Sequence, residues 1–427
     1  MRRDFEVVRD PLWDNIRLDD AALAVLDTPA VQRLRYVRQL GHAFLVYPGA
    51  THSRFEHALG AYHLTRRALQ SLDDHGELTA LPAEDRRAVA LAALLHDIGH
   101  YPFSHGLEEA GFPSHEDQGV ARLAEGELGD RLKALGGEAL ITAIGRLIRG
   151  RSTSPLQGLI SGTLDLDKID YLSRDARMCG VPYGNVDVDR LLASITLVET
   201  EGSDQPELGV QEKGVSALES LLFAKYQMYR NVYWHHAVRS ATCMFKRAVR
   251  AAVRQGLVTR VGVRDVTDDA FMQLLIEQAD GSLAGAVRDR RLYKRALDLP
   301  ASEVTATPEP WISDDPDLTE QVEDSLARWA GLEPGELLLD FPARANMLSV
   351  NLPLRLRDGR VERLTDEGRA GQLGLPRIAG ELYRSARRLR VFTARPPART
   401  LGSIPALLET PAAELRRRLA GAGALLP

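Results

Sequence analysis

A histidine followed directly by an aspartate, His96-Asp97, closes the apolar run AVALAALL. On a helix the two side chains project about 100° apart. A carboxylate beside an imidazole at the end of a buried run carries a desolvation penalty unless a charge offsets it. A divalent cation offsets it for both groups: neutral imidazole supplies nitrogen, and the carboxylate supplies oxygen and charge. His57 and Asp167, each in a segment that reads as a buried helix, could complete a set of two nitrogens and two oxygens. Such a set leaves coordination positions for water and substrate. A metal also lowers the pKa of its bound water toward neutrality, which provides a nucleophile at physiological pH. His100 falls four residues after His96, on the same face if the helix continues, within reach of a bound substrate or water. His105 and His115 have the polarity and position for phosphate contact or proton transfer. Arg54 and Lys168 stand next to proposed ligands, which suits an anionic substrate.

These residues belong to an uneven distribution. Nine of the eleven histidines lie between His42 and His115, and the other two form the pair His235-His236. His42, His52, His63 and His75 read as structural or surface residues. Asp165, Asp167 and Asp170 by themselves also read as a charge run at a helix start, with Asp165 as the cap.

The elements that must position this set are mostly helical. Thr28-Pro29 predicts a helix start, with AVQRLRYVRQL following and Gly41 ending it. HAFLVYPGATHS reads as a loop. RFEHALGAYHLTRRALQSL reads as an amphipathic helix, residues 84–98 as a buried helix ended by Gly99 and Pro102, and 115–150 as further helices. After a Gly/Ser/Thr/Pro-rich connection at 151–163, LDLDKIDYLSRDARMCG opens another helix. Residues 194–213 predict a hairpin and 215–255 predict helices. The Pro-rich stretch LDLPASEVTATPEPWISDDPD reads as a linker or exposed loop. Beyond it, ELLLDFP, MLSVNLPLRLRDGRVERL and RRLRVFTA have strand character, with helices expected near 319–331 and 376–388. The expectation is a mainly α protein: a helical body over 1–300 with a short β-hairpin, and a smaller C-terminal α+β subdomain over 301–427.

With 427 residues, 44% of them hydrophobic, the chain can bury a sizeable core. No apolar run approaches the roughly 18 residues of a membrane span, and MRRDFEVVRDPLWD has no stretch suited to a signal peptide. Cys179 and Cys243 are the only cysteines, which excludes a disulfide scaffold or a Cys-based zinc site and predicts a reducing cytoplasm. A net charge of −5 argues against a general nucleic-acid coat. A helix carrying Arg239, Lys246, Arg247, Arg250 and Arg254 could contact phosphates, or be a solvated or inter-subunit face.

The order His57, His96-Asp97, Asp167 resembles the signature of the HD-domain metal-dependent phosphohydrolases. The blocks DTPAVQRLRYVRQLG, YPGATHSRFEHALG, LLHDIGHYPFSH and LDLDKIDYLSRDA are similar to the deoxynucleoside triphosphate triphosphohydrolases of that family, over about residues 5–250, with the HD core near 50–180. The resemblance implies an HD-domain helical bundle with His57, His96, Asp97 and Asp167 as ligands of one divalent ion. Mn, Mg, Fe, Zn, Ni and Co are not distinguishable from the donor set, and further Mg would come with the nucleotide. It implies that His100 and His115 serve the chemistry at the α-phosphorus, with Glu116 orienting His115. Arg54, His105, Lys168 and Lys225 would hold phosphates. Gln39, Tyr171 and Asp175 would read the sugar, with Gln39 and Asp175 on the 3′-hydroxyl. Leu40 would crowd the 2′ position, and Tyr233 would pack against sugar or base. Tyr229 and Trp234 stand where the resemblance implies more polar residues.

The expected reaction converts a dNTP to deoxynucleoside and triphosphate. Some members of the family are tetramers activated by nucleotides at a second site. Asp27 and Arg35 match residues of that site, though they also read as a helix-start residue and a surface pair. A homo-oligomer, dimer or tetramer, with an activating nucleotide is therefore expected, and a nucleic-acid or membrane partner is not. The rival readings are an HD phosphohydrolase of another nucleotide (a monophosphate, cyclic dinucleotide or alarmone) and a nucleotide-sensing or nucleic-acid-binding regulator.

Overall fold

The structure, a computed structural model, describes residues 5–200, 205–278, 282–304, 311–342, 350–365, 374–421 and 425–426. The tip of the expected hairpin, part of the Pro-rich connection and the start of the strand segment expected from 347 lie outside the described residues. The fold is mainly α with small sheets, as the sequence predicts. Every residue from Ala88 to Leu95 is buried, which requires that the Ala83–Leu95 helix be enclosed on all sides. It packs against Arg54–Asp74 and Gly126–Ile148. Arg54–Asp74 starts on a capping box in which Ser53 and Glu56 satisfy each other's backbone N–H groups. Leu166–Cys179 starts on the Asp165 side chain, which accepts from the Lys168 N–H, and ends at left-handed Gly180.

The helix expected after Pro29 is shorter than its apolar spacing suggests. Pro29–Gln32 is α-helical and Arg33–Tyr36 is 3₁₀. Thr28 occupies the N-cap position, but its hydroxyl donates to the Val25 carbonyl instead of capping. The chain leaves the helix because Gln39 N–H donates to the His52 carbonyl, Arg54 N–H to the Val37 carbonyl, and Arg38 N–H to Asp268. Tertiary partners thus take backbone groups that a continued helix would use, and they lay Gln39 and Leu40 beside the His96 segment.

An N-terminal hairpin, Glu6–Asp10 with Asp14–Leu18, covers the body at one side. Ile195–Val198, Glu207–Gln211, Leu352–Arg355 and Val361–Leu364 form a mixed sheet in that order, its middle pair parallel. Arg388–Thr393 is the centre of an antiparallel sheet between Lys294–Pro300 and Leu337–Asp340. Both sheets join strands from the two sides of residue 300. No helix among the described residues is long and apolar enough to cross a membrane.

The Arg-rich helix His236–Arg254 is not a solvated face. Phe245, Ala248 and Val249 pack with Tyr101 and Phe103. Arg247 and Arg250 reach Glu320 at 3.3 and 3.2 Å, and Arg254 reaches Glu320 at 2.5 Å, on the helix Pro316–Trp329. Charge complementarity inside one chain, which one-dimensional spacing does not reveal, places these cations.

Candidate active site

The helix Ala83–Leu95 ends before His96, and residues 96–100 continue as turns. His100 therefore does not reach the site by helical spacing; its Nε2 lies 3.1 Å from an Asp97 carboxylate oxygen because the turn folds back. Gly99 makes this possible. A Cβ there would sit 2.1 Å from the His115 carbonyl and 2.2 Å from the Gly119 nitrogen, so only glycine lets the two segments touch. The next turn holds Phe103 and Ser104 at φ of 57° and 56°, unfavourable for side chains of this kind. Asp268 accepts the Phe103 N–H at 2.8 Å, and the Ser104 hydroxyl donates to the Arg38 carbonyl at 2.7 Å. These contacts keep the turn in place.

Four expected ligands converge. His57 Nε2 is 3.2 Å from His96 Nε2 and 2.8 Å from Asp167 Oδ1. Asp97 Oδ1 lies 3.3 Å from His96 Nε2, and its other oxygen lies 3.6 Å from His57 Nε2. Each ring has its second nitrogen on an acceptor that carries no proton to give: His57 Nδ1 on Asp170 at 2.7 Å, His96 Nδ1 on the Ala93 carbonyl at 2.8 Å. Both Nδ1 atoms are thus donors, which turns the two Nε2 atoms toward each other between two carboxylates. That arrangement fits a cation, and the nitrogen and oxygen donors suit a divalent one. Burial opposes charge on the His57 ring, but the bonds to Asp167 and Asp170 outweigh it and push the imidazole up to about 10, so a cation at Nε2 would take the place of a proton there. Burial likewise opposes the Asp97 charge, yet Arg54, His96 and His100 hold that carboxyl well below its usual range. Arg54 donates to Asp97 at 2.5 Å and to the Ser104 hydroxyl at 3.1 Å.

Beside this group, ligand atoms of His100, His105, Glu108 and His115 lie within 4.8 Å of one another. The carboxylate on the His115 ring is Glu108, at 2.6 Å, where the sequence expectation places Glu116. Glu108 also accepts the His115 backbone N–H and meets His105 at 3.0 Å. The short turn Ser104–Gly106 with Glu108–Ala110 brings it there; Glu116 lines the cavity instead. The sequence signal for Glu108 was only its place three residues after His105. His100 stacks on His115 with ring centres 3.8 Å apart. Burial, then the charges of Arg54 and His115, hold the His100 ring well below its ordinary pKa and keep it neutral.

A cavity of about 490 Å³ opens over both groups, within the range of small-molecule sites. Gln39, Leu40, Arg54, His105, Tyr171, Asp175 and Tyr233 all line it. Lys168 and Lys225 are not in its lining: Lys168 donates to Asp165 at 2.5 Å and to the Gly162 carbonyl at 2.6 Å, and Lys225 is buried. Asp175 is gripped by His52 and Tyr233, each at 2.8 Å. His52, read from sequence as structural or surface, therefore supports a cavity residue. Tyr233 ends a π-helical turn, Tyr229–Tyr233, of the kind often found at functional sites. Tyr229 and Trp234 pack at 5.2 Å and make an aromatic wall. Arg239, also in the lining, is paired with Glu109 and Asp340 at 2.8 and 2.7 Å. Asp27 and Arg35 lie outside the cavity; Asp27 is exposed at a helix end, and the Arg35 guanidinium lies 3.6 Å over the Phe55 ring.

Comparison with known proteins agrees with this architecture. The family profile described as HD domain matches residues 54–175, and that described as HD associated region matches 186–369. The chain belongs to the HD-domain phosphohydrolase family. An uncharacterized protein of Methanocaldococcus jannaschii is 36% identical over 68% of this chain and 59% of its own length. The deoxynucleoside triphosphate triphosphohydrolase SAMHD1 of Bos taurus is 30% identical over 54% of this chain and 44% of its own. The chain spans about half the length of the curated relatives it matches. The crystal structure of a hypothetical protein from Aquifex aeolicus superimposes with a TM-score of 0.71 at 27% identity, covering 96% of this chain and all of that one.

Proposed function

We propose that the protein is a metal-dependent dNTP triphosphohydrolase. The observation that carries this reading is a single cavity lined both by His96 and Asp97 and by Gln39, Leu40, Tyr171 and Asp175, the residues expected to read the sugar. Similarity to SAMHD1, whose name states that activity, supports the same reaction. His57, His96, Asp97 and Asp167 would hold one divalent ion, which supplies charge stabilisation and an acidified water. Arg54 and His105 place the phosphate chain, Leu40 and Tyr171 the sugar, and Tyr233 the sugar or base. The water oxygen bonds to the α-phosphorus and the bond from phosphorus to the 5′-oxygen breaks. His115, held by Glu108, would deliver the proton that the leaving 5′-oxygen takes up, while neutral His100 would hydrogen-bond the reacting phosphate. The products are deoxynucleoside and inorganic triphosphate.

The test is incubation of the protein with Mn²⁺ or Mg²⁺ and each dNTP and NTP, singly and mixed, with identification of products. Deoxynucleoside plus triphosphate is expected. Pyrophosphate plus monophosphate would overturn attack at this bond, and turnover confined to monophosphates, cyclic dinucleotides or alarmones would favour the rival phosphohydrolase. Turnover of mixtures but not of single dNTPs would support nucleotide activation of an oligomer through Asp27 and Arg35.

A further inference from the structure

The N-terminal hairpin touches the metal-ligand group from behind, through atoms far apart in sequence. Trp13, in the turn of the hairpin, donates its indole N–H to Asp170 Oδ1 at 2.5 Å. Asp170 Oδ2 takes the Nδ1–H of His57 at 2.7 Å. Arg174 grips the same carboxylate with Nε at 3.0 Å and Nη2 at 2.9 Å, and turns Nη1 to Asp10 at 2.8 Å. Asp10 in turn accepts the backbone N–H groups of Leu12 and Trp13 at 2.9 and 2.8 Å, which shapes the turn that presents the indole. Asp170, Arg174 and His57 are fully buried, and Asp10 is 3% exposed. Gly60 leaves room for the cluster: a Cβ there would lie 1.8 Å from Asp170 Oδ1 and 2.5 Å from Arg174.

We propose that the hairpin residues Trp13 and Asp10 are positioning residues for metal binding, acting on His57 through Asp170. The inference rests on the reading of His57 as a metal ligand. Its chemistry is charge balance. Two buried carboxylates share one guanidinium, so Asp10 keeps Arg174 from neutralising Asp170 alone. Arg174 bonds both Asp170 oxygens, with Nε on the one that also takes the His57 Nδ1–H. Its charge is divided with Asp10, so Asp170 remains a net anionic acceptor and strengthens the opposite His57 nitrogen as a donor to a cation. Trp13 adds a neutral N–H to the oxygen that Arg174 Nη2 also bonds, which fixes the rotation of the carboxylate and hence of the ring without adding a positive charge.

The experiment is Mn²⁺ titration of the full chain by competition with a chromophoric chelator, for wild type, W13F, D10N and the remote control W329F. Electron paramagnetic resonance of the bound ion and melting of the metal-free protein accompany it. W13F keeps an aromatic ring and removes the N–H with part of the indole packing, and the melting curve separates these, so it reports even if D10N fails to fold. The dissociation constant is expected to rise about tenfold or more in W13F and D10N, with an altered resonance line shape. W329F should leave both unchanged. Wild-type affinity and line shape in folded W13F would overturn the hairpin's role and leave the metal reading intact. Absence of Mn²⁺ binding by the wild type would overturn both.

Discussion

At the scale of single residues, the useful distinction is between groups that face the cavity and groups that set their state. Glu108 and Glu116 are both near His115, but only Glu108 is bonded to the ring. Burial disfavours its charge, and the bonds from His105 and His115 hold it well below the usual carboxylate range all the same. E108Q should lower kcat by roughly 10²-fold with little change in KM, the scale of a lost acid–base function, and E116Q should have the smaller effect in the same steady-state assay. The double variant H96A/D97A should abolish turnover; undiminished activity would sink the ligand assignment. His42 makes a different point. It is buried between Phe103 and Phe245, and burial, then the charge of Arg38, lowers its pKa to about 3. Between that value and about 6.5 the unfolded chain binds a proton that the folded one does not, so stability rises with pH across this window. H42F should flatten that rise, by about 3 kcal/mol across denaturant titrations from pH 4 to 7.

At the scale of elements, close approach does what periodicity cannot. The His96 turn meets the His115 helix because Gly99 has no side chain to separate them. G99A should destabilise the protein by about 1–3 kcal/mol, as overpacking does, and should also reduce kcat, since the added methyl group would displace His115 from His100. A melting curve and a rate together test this: lower stability with unchanged kcat would show that the contact serves only packing. The strained backbone at Phe103 and Ser104 belongs to the same turn and is held by Asp268, more than 160 residues away.

At the scale of the whole molecule, Arg239 joins the cavity wall to Asp340 in the C-terminal region, and Arg247 joins the same helix to Glu320, Glu323 and Asp324. Removing one partner of such a buried set leaves uncompensated charge, which costs about 3–5 kcal/mol. R247A should therefore lower thermal stability strongly. A nucleic-acid-binding reading of this helix predicts instead a weaker, less salt-dependent affinity with stability unchanged, which a filter-binding series at several salt concentrations would detect.

The sequence by itself determined the chemistry on offer and most of the elements that carry it. The apolar run before His96 could only be an enclosed helix, and two histidines and two aspartates near such helices already suggested a set that could hold a cation. Spacing of this kind is local information, and helices obey it. What the tertiary structure decided were contacts beyond helical spacing: Glu108 rather than Glu116 on His115, His52 under Asp175, the helix after Pro29 cut short by strand-like bonds, and the Arg-rich helix turned inward. Trp13 and Asp10 behind His57 belong with these. Apart from the spacing of Glu108 from His105, none has a sequence signature, because a buried polar group is satisfied by whichever partner the fold brings within about 3 Å, and that partner is chosen by packing across the whole chain.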